Sequence, residues 1–243
     1  MRPLQASLFL GGPRWFLCSL KPSECSKARD TNRTPIEQYG ENCESDPNGP
    51  GCENGHPCEP CGSPLVLDLA SDGFAFVGAE GGVEFDIDGD MRIERSGWTT
   101  RSRDPDAFLC LDRNGNRVID SGRELFGDAT LFLNGFEAEN GYQTLFELEI
   151  EFGDGDGFVE PDDAIYHRLR VWKDRNKNGT SEPSEIHSLS QVNVIWIDTH
   201  YTVGMEVDEH GNWLRFVSHA AVREADGSIR VIDTTDVFFD LQD

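Results

Sequence analysis

The feature that most constrains this chain is a spacing. Asp, Asn and Gly recur at every second residue in four short runs, FDIDGD, LDRNGN, FGDGDG and KDRNKNG. A solvated charge run has no reason to keep that interval, whereas a loop that wraps a hard cation does. Ca²⁺ takes six to eight oxygens at roughly 2.3–2.6 Å, and an EF-hand loop supplies them from positions 1, 3, 5, 7, 9 and 12, with Gly at 6 for a sharp turn.

The run from Asp174 to Glu185 meets the whole pattern. Asp174, Asn176 and Asn178 stand at positions 1, 3 and 5, Gly179 at 6, Thr180 offers its carbonyl at 7, Glu182 stands at 9 and Glu185 at 12. In a second run Asp154, Asp156, Gly157, Phe158, Glu160 and Asp163 occupy 3, 5, 6, 7, 9 and 12. Phe152 falls at its position 1, so Glu149 or Glu151 would have to reach in. A third run offers Asp112, Asn114, Asn116, the Val118 carbonyl and Asp120, with Arg117 at position 6 and the terminal acid, Glu124, one residue late. Positive φ costs a residue with a side chain about 1 kcal/mol, so a weaker or differently shaped site is expected there. The fourth run has Asp86, Asp88 and Asp90, then Met91 at position 6, Glu94 at 9 and no acid at 12; Asp68 and Asp72 are candidates to complete it. Each run also has a plainer reading, a metal-free turn rich in Asx caps. The run 174–185 fits that reading least well and 86–94 fits it best.

Charge supports the cation reading and excludes others. The formal net charge is −24, from 45 acids against 21 bases, a balance that repels nucleic acid and anionic membrane surfaces. No apolar stretch reaches the ~20 residues of a membrane span. The expected partners are calcium ions, with a protein or cell-surface partner left open. No nucleophile elbow, P-loop or dinucleotide fingerprint occurs, and the abundant carboxylates are better explained as metal ligands than as a glycosidase pair. A non-enzymatic role is expected.

Residues 1–62 are rich in Pro, Gly, Asn and Ser and hold Cys18, Cys25, Cys43, Cys52, Cys58 and Cys61. They read as largely disordered or disulfide-stapled; zinc on Cys52, His56, Cys58 and Cys61 is the alternative, favoured only inside a cell. Arg2 and the apolar residues 4–10 are cut short by Gly11, Gly12 and Pro13, so export is not argued from this end. Cys110, within FLCL, reads as a small buried hydrophobe.

Residues 63–198 form the expected calcium-binding, EF-hand-like module. Strands are expected at 63–69, 74–77, 83–85 and 107–111, and a short helical turn at 122–126. Tyr142, Leu145 and Phe146 argue one helix, and Ile165, Leu169 and Trp172 a second over 161–172. A short helix is expected at 184–189. Loops 154–163 and 174–185 would then share a helix as a coupled pair. Residues 199–243 change to period two and predict a β-hairpin or meander tail packed on the module, with strands at 203–207, 213–222, 229–232 and 237–239. The expected class is α+β: EF-hand-like calcium loops with short helices, followed by an antiparallel β meander.

In order, SPLVLDLASDG, FDIDGDMRIERSGW, LDRNGNRVIDSGRELFGDAT and GDGDGFVEPDDAIYHRLRVWKDRNKNGTSEPSEI resemble the EF-hand-type calcium module of bacterial RTX-like secreted proteins. The same module occurs in iron-regulated RTX proteins that process themselves. The resemblance covers 63–198, and EVDEHGNWLRF and DVFF resemble what often follows. It implies an extracellular or cell-surface location, Ca²⁺ as cofactor, and folding driven by calcium. Some members cut their own chain at an Asp-Pro bond just ahead of the first strand, the Asp side chain attacking its own carbonyl to give an anhydride. Here Ser63-Pro64 stands at that place, while Asp46-Pro47 and Asp104-Pro105 lie elsewhere. Self-cleavage is therefore not expected. Processing at another site and an adhesion or toxin-delivery role for the tail are the alternatives.

Overall fold

In the computed structural model, which describes residues 52–53, 56–57, 62–100 and 104–242, β1 (Cys52–Glu53) and β2 (His56–Pro57) pair ahead of the first core strand, β3 (Leu65–Leu67). The strands that follow are β4 (Phe76–Val77), β5 (Val83–Phe85), β6 (Glu94–Ser96), β7 (Trp98–Thr99) and β8 (Ala107–Cys110). The helix α1 (Gly141–Phe152) precedes β9 (Phe158–Val159), β10 (Arg170–Trp172) and β11 (Ile186–Ser188). The chain ends with β12 (Val194–Asp198), β13 (Thr202–Val207), β14 (Trp213–Arg223), β15 (Ile229–Phe238) and β16 (Leu241–Gln242).

The central element is a nine-stranded antiparallel sheet, curled as a half-barrel, in the order β11-β10-β8-β3-β15-β14-β12-β9 with β13 also on β14. Near-continuous apolar runs such as PLVL and AFLCL suit it because both faces are buried. Leu65, Leu67, Ala107, Leu109, Val171 and Phe238 point to one core. Their alternates Val66, Phe108, Cys110, Trp172 and Val237 point to the other. Cys110 is thus buried and free, as its apolar setting implied.

Helix α1 covers the first face through Tyr142, Leu145 and Leu148. Asn140 caps it, accepting the Gln143 N–H at 3.2 Å, and the Tyr142 hydroxyl meets Thr234 Oγ1 on β15 at 2.8 Å. The second face is covered by two small sheets, β4-β7 and β16-β6-β5, around a knot of aromatic rings. Trp98 lies 4.5 Å from Phe108 and 5.4 Å from Trp172, centroid to centroid. Trp98, Trp172 and Trp213 are core residues, and Trp196 is half-buried.

The α+β expectation is overturned: the fold is mostly β, and α1 is the one α-helix among the described residues. Residues 161–168 form turns, with a single helical bond from Leu169 N–H to the Ile165 carbonyl. The chain then extends as β10, because Val171 and Trp172 can fill opposite cores only with a period of two. Residues 186–188, expected to be helical, pair with β10 as β11. No helix-loop-helix therefore exists at 174–185; its loop joins two antiparallel strands. The segments 229–232 and 237–239 are parts of the single strand β15, which pairs with β14 on one edge and β3 on the other.

Candidate functional site

Although only loop 154–163 has a flanking α-helix, α1 before it, the four acidic loops follow one backbone path. Position 4 is left-handed in each, at Gly89 (φ 71°), Gly115 (φ 77°), Gly155 (φ 81°) and Lys177 (φ 58°). Position 6 is left-handed too, at Met91 (φ 72°), Arg117 (φ 69°), Gly157 (φ 92°) and Gly179 (φ 67°). Met91 and Arg117 thus carry the backbone strain that glycine would avoid, about 1 kcal/mol each.

The hydrogen bonds repeat as well. In every loop the side-chain oxygen at position 5 accepts the N–H at position 7: Asp90 from Arg92 (2.8 Å), Asn116 from Val118 (2.8 Å), Asp156 from Phe158 (2.8 Å) and Asn178 from Thr180 (2.8 Å). The first Asp accepts from position 6: Asp86 from Met91 (3.2 Å), Asp112 from Arg117 (3.0 Å) and Asp174 from Gly179 (2.9 Å). The late Glu124 still folds back, accepting Arg113 N–H at 3.1 Å, just as Glu185 accepts Arg175 N–H at 2.9 Å.

In loop 154–163 the apolar Phe152 is replaced in this role by Glu149, from the last turn of α1. Glu149 is fully buried and accepts from Gly155 (2.6 Å), Asp156 (3.2 Å) and Gly157 (3.3 Å). Carboxylate oxygens of Glu149, Asp154 and Asp163 lie within 4.8 Å of one another. Asp163 accepts Glu160 N–H at 2.7 Å, and Glu151 points to solvent. The sequence pointed to either glutamate; helical phase selects Glu149, one turn before Phe152 on the buried side.

Loop 86–94 holds the densest charge. Oxygens of Asp86, Asp88 and Asp90 lie within 4.8 Å of one another. Burial, and then the neighbouring carboxylates, push Asp88 up to about 6 and Glu94 up to about 7. Glu94 Oε2 is buried without a hydrogen-bond partner. Glu94 therefore joins the group from position 9, the position that Asp120, Glu160 and Glu182 hold in the other loops. Asp68 and Asp72 do not complete this loop. Asp68 accepts from Asp72 and Gly73 in its own turn (3.3 and 2.9 Å), and burial followed by the charge of Asp68 pushes nearby Asp106 up to about 7.

Loop 174–185 is satisfied differently. Asp174 is fully buried and accepts the Trp98 indole N–H at 2.8 Å. Asn176 and Asn178 turn their amide nitrogens to Glu182 Oε1 at 3.2 and 2.8 Å. Burial and the adjacent Glu182 raise Glu185. In loop 112–124, Asn116 Nδ2 donates to Asp120 at 2.9 Å, and burial raises Glu124.

The loops do not pair as expected. Ile119 N–H donates to Ser181 Oγ at 2.7 Å and Ser181 Oγ donates to the Ile119 carbonyl at 3.0 Å. This joins loops 112–124 and 174–185 at position 8 of each. Loop 86–94 stacks on the same group, with Gly122 N–H donating to the Asp86 carbonyl (2.7 Å) and Arg123 to that of Gly89 (2.7 Å). Loop 154–163 stands with the other core and meets the chain at Thr199, whose N–H donates to the Gly157 carbonyl at 3.0 Å.

Oxygen-only ligands, mutually repelling carboxylates and a buried oxygen with no partner form a donor set that fits a hard divalent cation. At the Asp-Pro position, Ser63 is buried and Asp128 Oδ1 accepts its N–H at 2.7 Å. Asp104 pairs with Lys173 at 2.6 Å. The side chains of the N-terminal cysteines, and Asp46-Pro47, lie outside the described residues.

The family model of the SPM domain matches residues 65–240. Iron-regulated protein FrpA of Neisseria meningitidis serogroup C is 38% identical over 140 residues, which cover 57% of this chain and 12% of that protein. The chain thus corresponds to a small part of that relative. Among the described residues no helix is long and apolar enough to cross a membrane.

Proposed function

The chain belongs to the SPM domain family, and on that premise we propose that it is a calcium-binding module whose folding is coupled to Ca²⁺ outside the cell. The observation that carries the reading is the carboxylate group Asp86, Asp88 and Asp90 with Glu94 beside it: Arg92, 3.9 Å from Asp90, and the charge of Arg123 relieve only part of the repulsion, Asp88 and Glu94 stay raised, and Glu94 Oε2 is buried without a partner. Calcium would supply the missing positive charge there. Asp112, Asn114, Asn116, the Val118 carbonyl, Asp120 and Glu124 would hold a second ion. Asp174, Asn176, Asn178, the Thr180 carbonyl, Glu182 and Glu185 would hold a third. Glu149, Asp154, Asp156, the Phe158 carbonyl, Glu160 and Asp163 would hold a fourth.

Without a cation these carboxylates oppose one another; with it the loops close, so binding energy becomes folding energy. Affinities of about 10⁻⁴–10⁻³ M, ordinary for extracellular modules, suffice for that. The reading is non-enzymatic: at the Asp-Pro position Ser63 has no carboxylate with which to form an anhydride.

Calorimetric titration of the chelator-stripped protein tests it. Saturable uptake of more than one ion, reduced by one site in Asp88→Asn, is expected. Absence of saturable binding up to about 10⁻³ M calcium would return the loops to metal-free Asx turns.

A further inference from the structure

In a chain of net charge −24, one cleft gathers cations instead. Its volume is about 310 Å³, and Lys173, Arg175, His187, Arg223 and Arg230 line it. Lys173 follows β10, Arg175 lies in loop 174–185 between Asp174 and Asn176, His187 is on β11, and Arg223 and Arg230 flank the tip of the β14–β15 hairpin. Lys173 is paired with Asp104 at 2.6 Å, and Arg230 with Glu224. Arg175 and Arg223 have no side-chain hydrogen bond or ion pair among the described residues, and His187 Nε2 is buried without a partner. The four Lys and Arg against Asp104 and Glu224 leave two positive charges in excess at the cleft. Leu69, Val192 and Val222 add an apolar wall.

We propose that this cleft binds a phosphate monoester, its oxyanion held by Arg175 and Arg223 and its organic body resting on Leu69, Val192 and Val222. A dianion matches the excess charge, and a guanidinium fork matches the oxygens of a tetrahedral oxyanion in bidentate fashion. The volume sits at the lower end of small-molecule sites, about 300–1,000 Å³, which is more than a bare inorganic ion fills. Scattered surface arginines on an acidic protein would account for the unpaired guanidiniums, but not for four Lys and Arg side chains lining one cleft beside an apolar wall.

The test uses the full chain at constant calcium, followed by amide NMR shifts. Sodium sulfate is titrated against sodium chloride at equal ionic strength, and then phenyl sulfate and phenyl phosphate are titrated. Sulfate should shift the residues around 173–175, 187 and 223 saturably; phenyl phosphate, a dianion with an apolar body, should bind more tightly than sulfate, and phenyl sulfate, a monoanion, more weakly than phenyl phosphate. Arg175→Gln with Arg223→Gln should weaken sulfate at least about tenfold, with the melting midpoint unchanged because both side chains are exposed and unpaired. Arg175→Lys with Arg223→Lys keeps the charge and loses the fork, and should bind with intermediate strength. The proposal is overturned if sulfate acts no differently from chloride, if the glutamine pair binds sulfate as the wild type does, or if phenyl phosphate binds no better than sulfate.

Discussion

Loops 174–185 and 86–94 share a backbone path and differ in how their charge is answered. The first places two amides, Asn176 and Asn178, among its acids and gives its buried Asp174 an indole N–H and backbone N–H groups. The second places Asp at all three early positions, adds Glu94, and leaves Glu94 Oε2 with no partner. The loop that fits the ligand pattern best is therefore the one whose Asp174 the protein itself satisfies, although its Glu182 Oε2 is, like Glu94 Oε2, buried without a partner. The loop that fits it worst carries the strongest electrostatic demand for a cation. Fit to a motif describes backbone shape; uncompensated charge describes need.

The largest effect expected from this contrast is at Asp174. Asp174→Ala removes the buried acceptor of the Trp98 and Gly179 N–H groups, and should destabilise the protein by about 3 kcal/mol with or without calcium. Urea unfolding in calcium and in chelator measures it, and a loss seen in calcium alone would mean that the indole bond contributes little. Asp88→Asn or Glu94→Gln should behave oppositely in the two conditions. In chelator at neutral pH either relieves repulsion and stabilises by about 1 kcal/mol, discounted for partial exposure; in calcium either weakens binding. The same sign in both conditions would break the distinction between the loops.

The pH dependence sharpens the contrast further. Glu94 and Asp88 are raised in the folded protein, to about 7 and about 6. Folded chains therefore hold protons that unfolded chains release, and metal-free stability should fall as pH rises from about 4 towards 7. Saturating calcium should flatten that fall. A metal-free stability that rises over the same interval would contradict the remaining repulsion. The smallest effect is expected at Ser181→Ala, which removes the hydrogen bonds to Ile119 and should cost about 1 kcal/mol. It should also make calcium uptake by 112–124 independent of substitutions in 174–185, checked by titrating the Ser181→Ala/Glu185→Gln pair.

Much of the β structure was legible because strand side chains alternate. Val83–Phe85 was read at its observed bounds, and β8, β13 and β14 to within a few residues. The helix at Tyr142, Leu145 and Phe146 was legible from its period, although Phe146 is exposed and Leu148 fills the core instead. What misled was Ile165, Leu169 and Trp172, whose spacing matches a helix although the last of them belongs to a strand facing the opposite core. Position 6 was also readable in advance: Arg117 takes the left-handed conformation the pattern required, as Met91 does. The role of Glu149 was open to either of two glutamates until the phase of α1 was known.

By itself the sequence determined the local shape of each loop, since Asx side chains bond to N–H groups two to five residues away wherever the loop sits. It also determined that cations would be wanted there, since charge is a property of composition. Only the tertiary structure decided the neighbours: that loop 112–124 meets 174–185 through Ser181, that 86–94 stacks on them, and that Arg175, His187 and Arg223 share one cleft. Those groupings join residues from 12 to more than 60 positions apart, and nothing in a local pattern encodes them. They follow from how the nine-stranded sheet curls and which face each strand residue must bury.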